Sequence, residues 1–286
     1  MDRRKAVILL LITVLLWSTS GLFVKILNWH PLAVSGVRSA IAALVIWAYI
    51  RRPNFVWSLP LIGGALAYLG AQSLFVAATT LTSAANAIFL QYTAPIYVVL
   101  LAYWLLREKP SRTDWISMGI IFLGLLLFFG DQLSPDGFYG NILAVLSGLT
   151  SAVMMVSFRA QKNSTPEDSV LIASLVIAVF GFPSVLKESW TISNWSVVAY
   201  LGIFQIGVAF IFFTKGIKHI QALEANLIGT LEPILNPVWV FLFLGEQMGK
   251  SALLGGLVVL VGVIVSAVGS ARTDKEFEAA SIYIHE

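Results

Sequence analysis

Ten apolar stretches follow one another along the chain, each long enough to cross a hydrocarbon core, which takes about 20 helical residues. They cover 6–28, 32–51, 58–79, 83–106, 112–130, 138–159, 169–187, 194–217, 222–244 and 250–270. The segments between them are short and carry helix breakers, such as "NWHP", "RRPN", "REKPSR", "DQLSPDG" and "KNSTPED", so none has room for a soluble domain. Only 12% of residues are charged. Soluble domains carry about 25%. A chain so poor in charge cannot coat a globule with polar surface. The expected fold is an all-α membrane protein with the lipid bilayer as its solvent.

The first stretch begins "MDRRKAVILLL", which looks like a secretory leader, but its apolar run is long and ends in "KILNWHP" without a small-residue cleavage site. It is expected to stay as a helix. The end "RTDKEFEAASIYIHE" is polar and is expected to be weakly ordered.

Basic residues set the orientation. With the N-terminus inside, the inner segments hold fourteen of the 18 Lys and Arg residues, among them Arg3, Arg51, Arg107, Arg159, Lys162 and Lys218. The outer loops hold Lys187 and Lys250, and Lys25 and Arg38 fall within spans. This is a positive-inside distribution that places both termini in the cytoplasm. The net charge of +3 has the same topological cause and calls for no nucleic acid. There is no cysteine, so disulfides, thiolate metal sites and cysteine nucleophiles are excluded.

The chain repeats itself. "TSAANAIFLQYTAPIYVVLLAYWLLREKPSRTDW" (82–115) matches "IQALEANLIGTLEPILNPVWVFLFLGEQMGKSAL" (220–253), with Ala84 on Ala222, Pro95 on Pro233, Glu108 on Glu246 and Gly124 on Gly262, all at an offset of 138. Pro31 opens the second stretch and Pro166 precedes the seventh, at an offset of 135, so a few loop residues differ. Five helices per half is an odd number, so the halves insert in opposite orientations. We expect a first repeat over 1–130, a second, inverted repeat over 131–271, and a cytoplasmic tail over 272–286. Inverted repeats are a common build of secondary transporters, with the binding site near the midplane between halves.

The motifs "LLWSTSGLFVK" in the first helix, "VRSAIAAL" in the second, a central proline in the fourth and ninth with "LREK" and "LGEQ" after them, and "LEP" in the ninth resemble the ten-helix, EamA-type branch of the drug/metabolite transporter superfamily. The resemblance covers essentially the whole chain. It implies a central cavity lined by the first, third, fourth, sixth, eighth and ninth helices, opening alternately to either side. It also implies a bacterial inner-membrane protein that exports amino acids or related small metabolites. Uptake or exchange of a nucleoside, amine or drug-like cation is the alternative. The sixth helix, "LTSAVMMVSFR", lacks the tryptophan that many second halves carry there.

Polar residues inside the spans are the site candidates. The ninth stretch holds twelve Leu, Ile, Val and Phe residues. These outweigh the roughly +3 kcal/mol of one central charge, so the helix can insert with Glu232 in it. At 1.5 Å per residue, Glu232 lies ~15 Å from Ala222 and ~18 Å from Leu244, near the midplane. Asn236 shares its face, which Ala225 and Gly229 continue as sites of close packing. Pro233 and Pro237 free the carbonyls of Gly229 and Pro233. An intramembrane acid either borders a wet site, where a proton is a candidate coupling ion, or pairs with a buried base. Arg38 is that base, while Lys25 snorkels outward.

On the third helix Tyr68, Gln72, Phe75 and Thr79 form one stripe, as do Asn86, Leu90, Thr93 and Tyr97 on the fourth. Trp17, Gly21 and Lys25 lie near one face of the first. Interhelical hydrogen bonding is the plain alternative for each residue, but three helices bringing aromatic and polar atoms to one centre suit an amphipathic small molecule. Trp29, Trp57, Trp115, Trp190 and Trp195 sit at span ends as interface anchors. Gly119, Gly124, Gly255, Gly256 and Gly262 are read as packing residues.

An intramembrane enzyme would need a nucleophile with a base, or metal ligands. His30, His219 and His285 lie in loops or the tail, and no carboxylate or histidine pair occurs within a span at i, i+3 or i+4. The faces are too aromatic for a channel lining. No ATP-binding motif and no cofactor motif is present. The expected partners are lipid and a small-molecule substrate, and a homodimer is left open.

Overall fold

The computed structural model describes residues 1–27, 29–53, 55–133, 135–161, 165–189, 191–245 and 249–284, with the backbone alone described for 25, 132 and 270–284. Lys162, Trp190, Glu246 and His285 lie outside the described residues, as does the side chain of Lys25. Among the described residues, ten helices are long and apolar enough to cross a membrane: Arg3–Val24, Pro31–Ile50, Leu59–Leu81, Ala84–Leu106, Arg112–Phe129, Phe138–Ala160, Pro166–Val185, Ile192–Ile217, Ala222–Leu244 and Lys250–Gly269, numbered here as the first to tenth spans. Helix starts are capped by short polar side chains. Ser58, Ser83 and Thr191 each accept from a backbone N–H in the first turn, and Ser111 with Asp114 closes a capping box. The backbone of the last helix continues to Ile284 instead of fraying after the span. "RTDKEFEAASIYI" contains neither Gly nor Pro, so nothing in it ends a helix.

The two halves interlock. The second span packs along the seventh and the fifth along the tenth, each on its own counterpart. The third packs along the sixth, and the eighth along the first, which is the same contact with the halves exchanged. Small residues let these backbones meet. A Cβ on Gly181 would lie 2.5 Å from the Cα of Gly36, and one on Gly124 would lie 2.7 Å from the Val259 nitrogen. Gly255, Gly256 and Gly262 are packed in the same way, as expected. Gly119 is not, because a Cβ there would meet nothing within 4 Å.

Among the described residues, four spans are interrupted within their length. The fourth breaks at Tyr92 and Thr93, between Ala84–Gln91 and Ala94–Leu101. The ninth breaks at Thr230, between Ala222–Gly229 and Leu231–Leu244. Pro95 and Pro233 follow these breaks at equivalent repeat positions, and neither can donate to the carbonyl four residues back. The first span breaks at Thr19, where the Ser18 and Thr19 hydroxyls turn back onto the Leu15 and Leu16 carbonyls at 2.8 and 2.7 Å. The eighth widens into a π-helical segment over Leu201–Val208. Such distortions occur where a bundle lines a site.

Trp57 and Trp115 are exposed, in keeping with an interfacial position. Trp29 is not: it is 7% exposed, stacks edge-on against Trp195 at 5.6 Å and donates to the Ser189 carbonyl at 3.2 Å. Its indole N–H finds a backbone acceptor inside the protein, so burial carries no unpaired polar atom.

Candidate functional site

The breaks gather polar groups from the first, fourth and ninth spans. Tyr92 sits at the break of the fourth, and its hydroxyl lies 3.3 Å from Glu232 Oε2 and 3.4 Å from the Gly229 carbonyl oxygen. That carbonyl is the one Pro233 leaves without a helical donor. Asn236 donates to Ser20 at 3.5 Å and packs against Gly21, and Trp239 donates to Ser18 at 2.8 Å. Gly229, Glu232 and Asn236 lie on one helical face and are half-exposed, while residues 222–228 are buried. A Cβ on Gly229 would meet nothing within 4 Å, so Gly229 opens onto free space and does not serve close packing as expected.

A second cluster lies between the second, third and eighth spans. Tyr68 is 1% exposed, accepts from Gln72 at 3.4 Å and meets Phe210 edge-on at 4.9 Å. Trp17 packs on Phe210 and Phe213, each at 5.1 Å. The guanidinium of Arg38 acts electrostatically on both Tyr68 and Glu232, and its buried Nε has no hydrogen-bond partner. The expected Arg38–Glu232 ion pair is not formed: among the described residues no nitrogen–oxygen contact within 4.0 Å joins them. The reason is topological. The second span packs on the seventh and eighth, not on the ninth, so Arg38 and Glu232 sit on spans that do not pack together.

Other candidates lie apart. Asn86 is 3% exposed and bonds Thr82 at 3.2 Å and Asn141 at 3.1 Å, tying the start of the fourth span to the sixth. Thr93 turns its hydroxyl onto the Leu90 carbonyl at 2.7 Å. Phe75 packs against the small buried cluster of Ala78, Ala87 and Ala144, and Tyr97 against the main core. Tyr92, Ser20 and Trp239 were not among the candidates. The Tyr92 signal was Pro95 three residues on, which shifts the helix face at the break.

The centre is closed at one end. Arg3 bonds Glu224 and donates to the Ala267 carbonyl at 2.9 Å, which puts both terminal helices at the same end. There Glu108 accepts from Arg159 Nε at 3.0 Å and from the Ala222 N–H at 2.9 Å, and Arg159 also reaches the Lys218 carbonyl. One carboxylate from the first half thus holds the sixth span and caps the ninth. Equivalent repeat positions differ in exposure. Val98 and Val99 are buried, while Asn236 and Pro237, 138 residues on, are half-exposed. Conversely, Ile88 to Leu90 are half-exposed and Asn226 to Ile228 are buried. In both spans the residues toward the termini are buried and those toward the opposite end are more accessible.

A ten-span bundle of two interlocked halves, with a polar cleft closed at one end, has the build of a membrane transporter. The model of the EamA-like transporter family matches residues 4–130 and again 138–268, and the chain belongs to that family, within the drug/metabolite transporter superfamily. An uncharacterized transporter of Archaeoglobus fulgidus is 24% identical over 260 residues, covering 90% of this chain and 94% of its own. The uncharacterized transporter YwfM of Bacillus subtilis is 25% identical, covering 94% and 96%. The threonine/homoserine exporter RhtA of Escherichia coli is 26% identical, covering 84% and 81%. A crystal structure superposes with a TM-score of 0.79 at 21% identity, over 95% of this chain and 99% of that one, which shows the fold alone.

Proposed function

We propose that this transporter is a secondary exporter of small amphipathic metabolites, amino acids or related compounds, in a bacterial cytoplasmic membrane with both termini in the cytoplasm. It works by alternating access through the central cleft. The observation that carries this reading is the opposite exposure of equivalent positions in the two halves, Val98 and Val99 against Asn236 and Pro237. Two similar halves held in different states are what alternating access requires. The threonine/homoserine exporter among the relatives supports the substrate class.

The test is counterflow in liposomes containing only the purified protein, preloaded in turn with threonine, homoserine, phenylalanine, tyramine or adenosine. The reading predicts accelerated uptake of labelled compound with an amino acid. Counterflow with tyramine or adenosine alone would move the protein to another substrate class, and none with any compound would refute transport. Single cysteines at Lys218 and Lys250 fix the orientation, by labelling from the cytoplasm and from outside respectively.

A further inference from the structure

The charges at the centre are arranged for a ligand carrying two charges of its own. Arg38 is a cation in mid-bundle whose buried Nε lacks an acceptor. A guanidinium offers five donors and no acceptor, so an unpaired buried one calls for an anionic oxygen. Glu232 is half-exposed, and among the described residues its one hydrogen bond is the 3.3 Å contact from Tyr92. Beside it the Gly229 carbonyl, freed by Pro233, has the Tyr92 hydroxyl as a partner at 3.4 Å, and a Cβ on Gly229 would meet nothing within 4 Å. Two anionic or acceptor oxygens next to a void suit an ammonium group.

The two ends are a donor site and an acceptor site, near enough to act on each other yet not in contact. In an α-amino acid, nitrogen and carboxyl carbon are about 2.5 Å apart, from the backbone bond lengths and angle. With a charge-assisted bond of about 2.8 Å at each end, such a ligand spans roughly 8 Å between guanidinium nitrogen and carboxylate oxygen. Direct contact between Arg38 and Glu232 would leave no room for it.

Resting on the transport reading above, we propose that the cleft binds its substrate as a zwitterion, the carboxylate on Arg38 and the ammonium between Glu232 and the Gly229 carbonyl. With Glu232 ionised, Arg38 and Glu232 sum to zero charge, and a zwitterion keeps the sum at zero. A simple amine or carboxylate adds one uncompensated charge in a low-dielectric centre. Arg38 and Glu232 are therefore specificity determinants against singly charged analogues.

The test uses phenylalanine and three analogues, phenethylamine, 3-phenylpropanoate and phenylalanine methyl ester, as competitors of amino-acid counterflow. In the unmodified protein each analogue should need at least tenfold more for half-inhibition than phenylalanine. In Arg38→Gln the ester should compete as well as phenylalanine. In Glu232→Gln, 3-phenylpropanoate should do so. Gly229→Ala, which meets no atom, should weaken phenylalanine and phenethylamine but not 3-phenylpropanoate. A purely structural role for either charge would lower affinity without erasing these ratios. Equal competition by all four in the unmodified protein overturns the proposal and leaves transport standing. So does Arg38→Gln with its preference for phenylalanine over the ester intact. Counterflow by no compound overturns both.

Discussion

Glu108 is the point at which the closed end can be weighed. Its carboxylate accepts from Arg159 Nε at 3.0 Å and from the Ala222 N–H at 2.9 Å. The two side chains are 16% and 27% exposed, so solvent screens the pair only in part. Hydrogen bonds to charged groups contribute about 1.5–3 kcal/mol each. In Glu108→Gln the amide oxygen keeps one of the two donors at neutral strength. A loss of about 2 kcal/mol follows, and the ratio of closed to open states at this end falls roughly 30-fold. Ala225 lies behind the lock and is 1% exposed. The chain has no native cysteine, so Ala225→Cys gives a single thiol. Its labelling by a charged maleimide from the terminal side should speed up about 30-fold in the Glu108→Gln background, in the same proportion as the open population. An unchanged labelling rate in a protein of unchanged thermal stability would refute the lock. A lower melting temperature with an unchanged rate would make Glu108 a structural cap only.

Three further outcomes are expected. Tyr92→Phe removes contacts of 3.3 and 3.4 Å, long enough that the loss should be about 1 kcal/mol, read as a roughly fivefold weaker counterflow KM with little change in melting temperature. Gly181→Leu drives a side chain into the Gly36 backbone and should lower stability by at least about 1–3 kcal/mol, whereas Gly119→Ala should be tolerated; thermal denaturation in detergent compares them. His219, in the loop before the ninth span, is held below its usual 6.5 by partial desolvation and then by the N-terminus, Arg159 and Lys218. A base with a depressed pKa contributes stability above 6.5 that fades as pH falls through that value. Acidification should therefore loosen the closed end and speed Ala225→Cys labelling, and His219→Gln should remove that pH dependence.

The spans were legible because lipid forces a long apolar helix for every crossing, and the repeat because Pro and Gly positions survive in register. The centre was legible only where a residue violates that apolar rule, as Glu232, Asn236 and Arg38 do. Sequence spacing could place Arg38 and Glu232 at similar depth but could not show that their spans do not pack together. The stripe from Asn86 to Tyr97 assumed one continuous helix. Pro95 breaks it, so Tyr92 turns to the ninth span. Asn86, one turn from the Ser83 cap, is spent on Thr82 and Asn141. Trp29 shows the same limit, since its position at a span end did not reveal Trp195 beside it.

The gap between Arg38 and Glu232 has a kinetic consequence under the zwitterion proposal. While the cleft is open, water screens the separated charges. At the roughly 8 Å that a bridging zwitterion requires, their attraction is about 0.5 kcal/mol at a dielectric of 80. When the cleft closes and water leaves, an effective dielectric near 20 raises it to about 2 kcal/mol. That gain of about 1.5 kcal/mol does not repay the hydration the two charges lose, several kcal/mol per ion, so an empty carrier closes at a cost or must bend the helices to bring the charges together. A carrier holding a zwitterion does not, because the ligand bridges both groups. Closure is then easier loaded than empty, and exchange of phenylalanine across a liposome membrane should run at least about tenfold faster than its net efflux. In the double variant Arg38→Gln, Glu232→Gln the centre has no separated charge, and the two rates should converge. Equal rates of exchange and net efflux in the unmodified protein would show that the empty carrier closes freely, and the separation of Arg38 from Glu232 would then have no part in coupling substrate to closure.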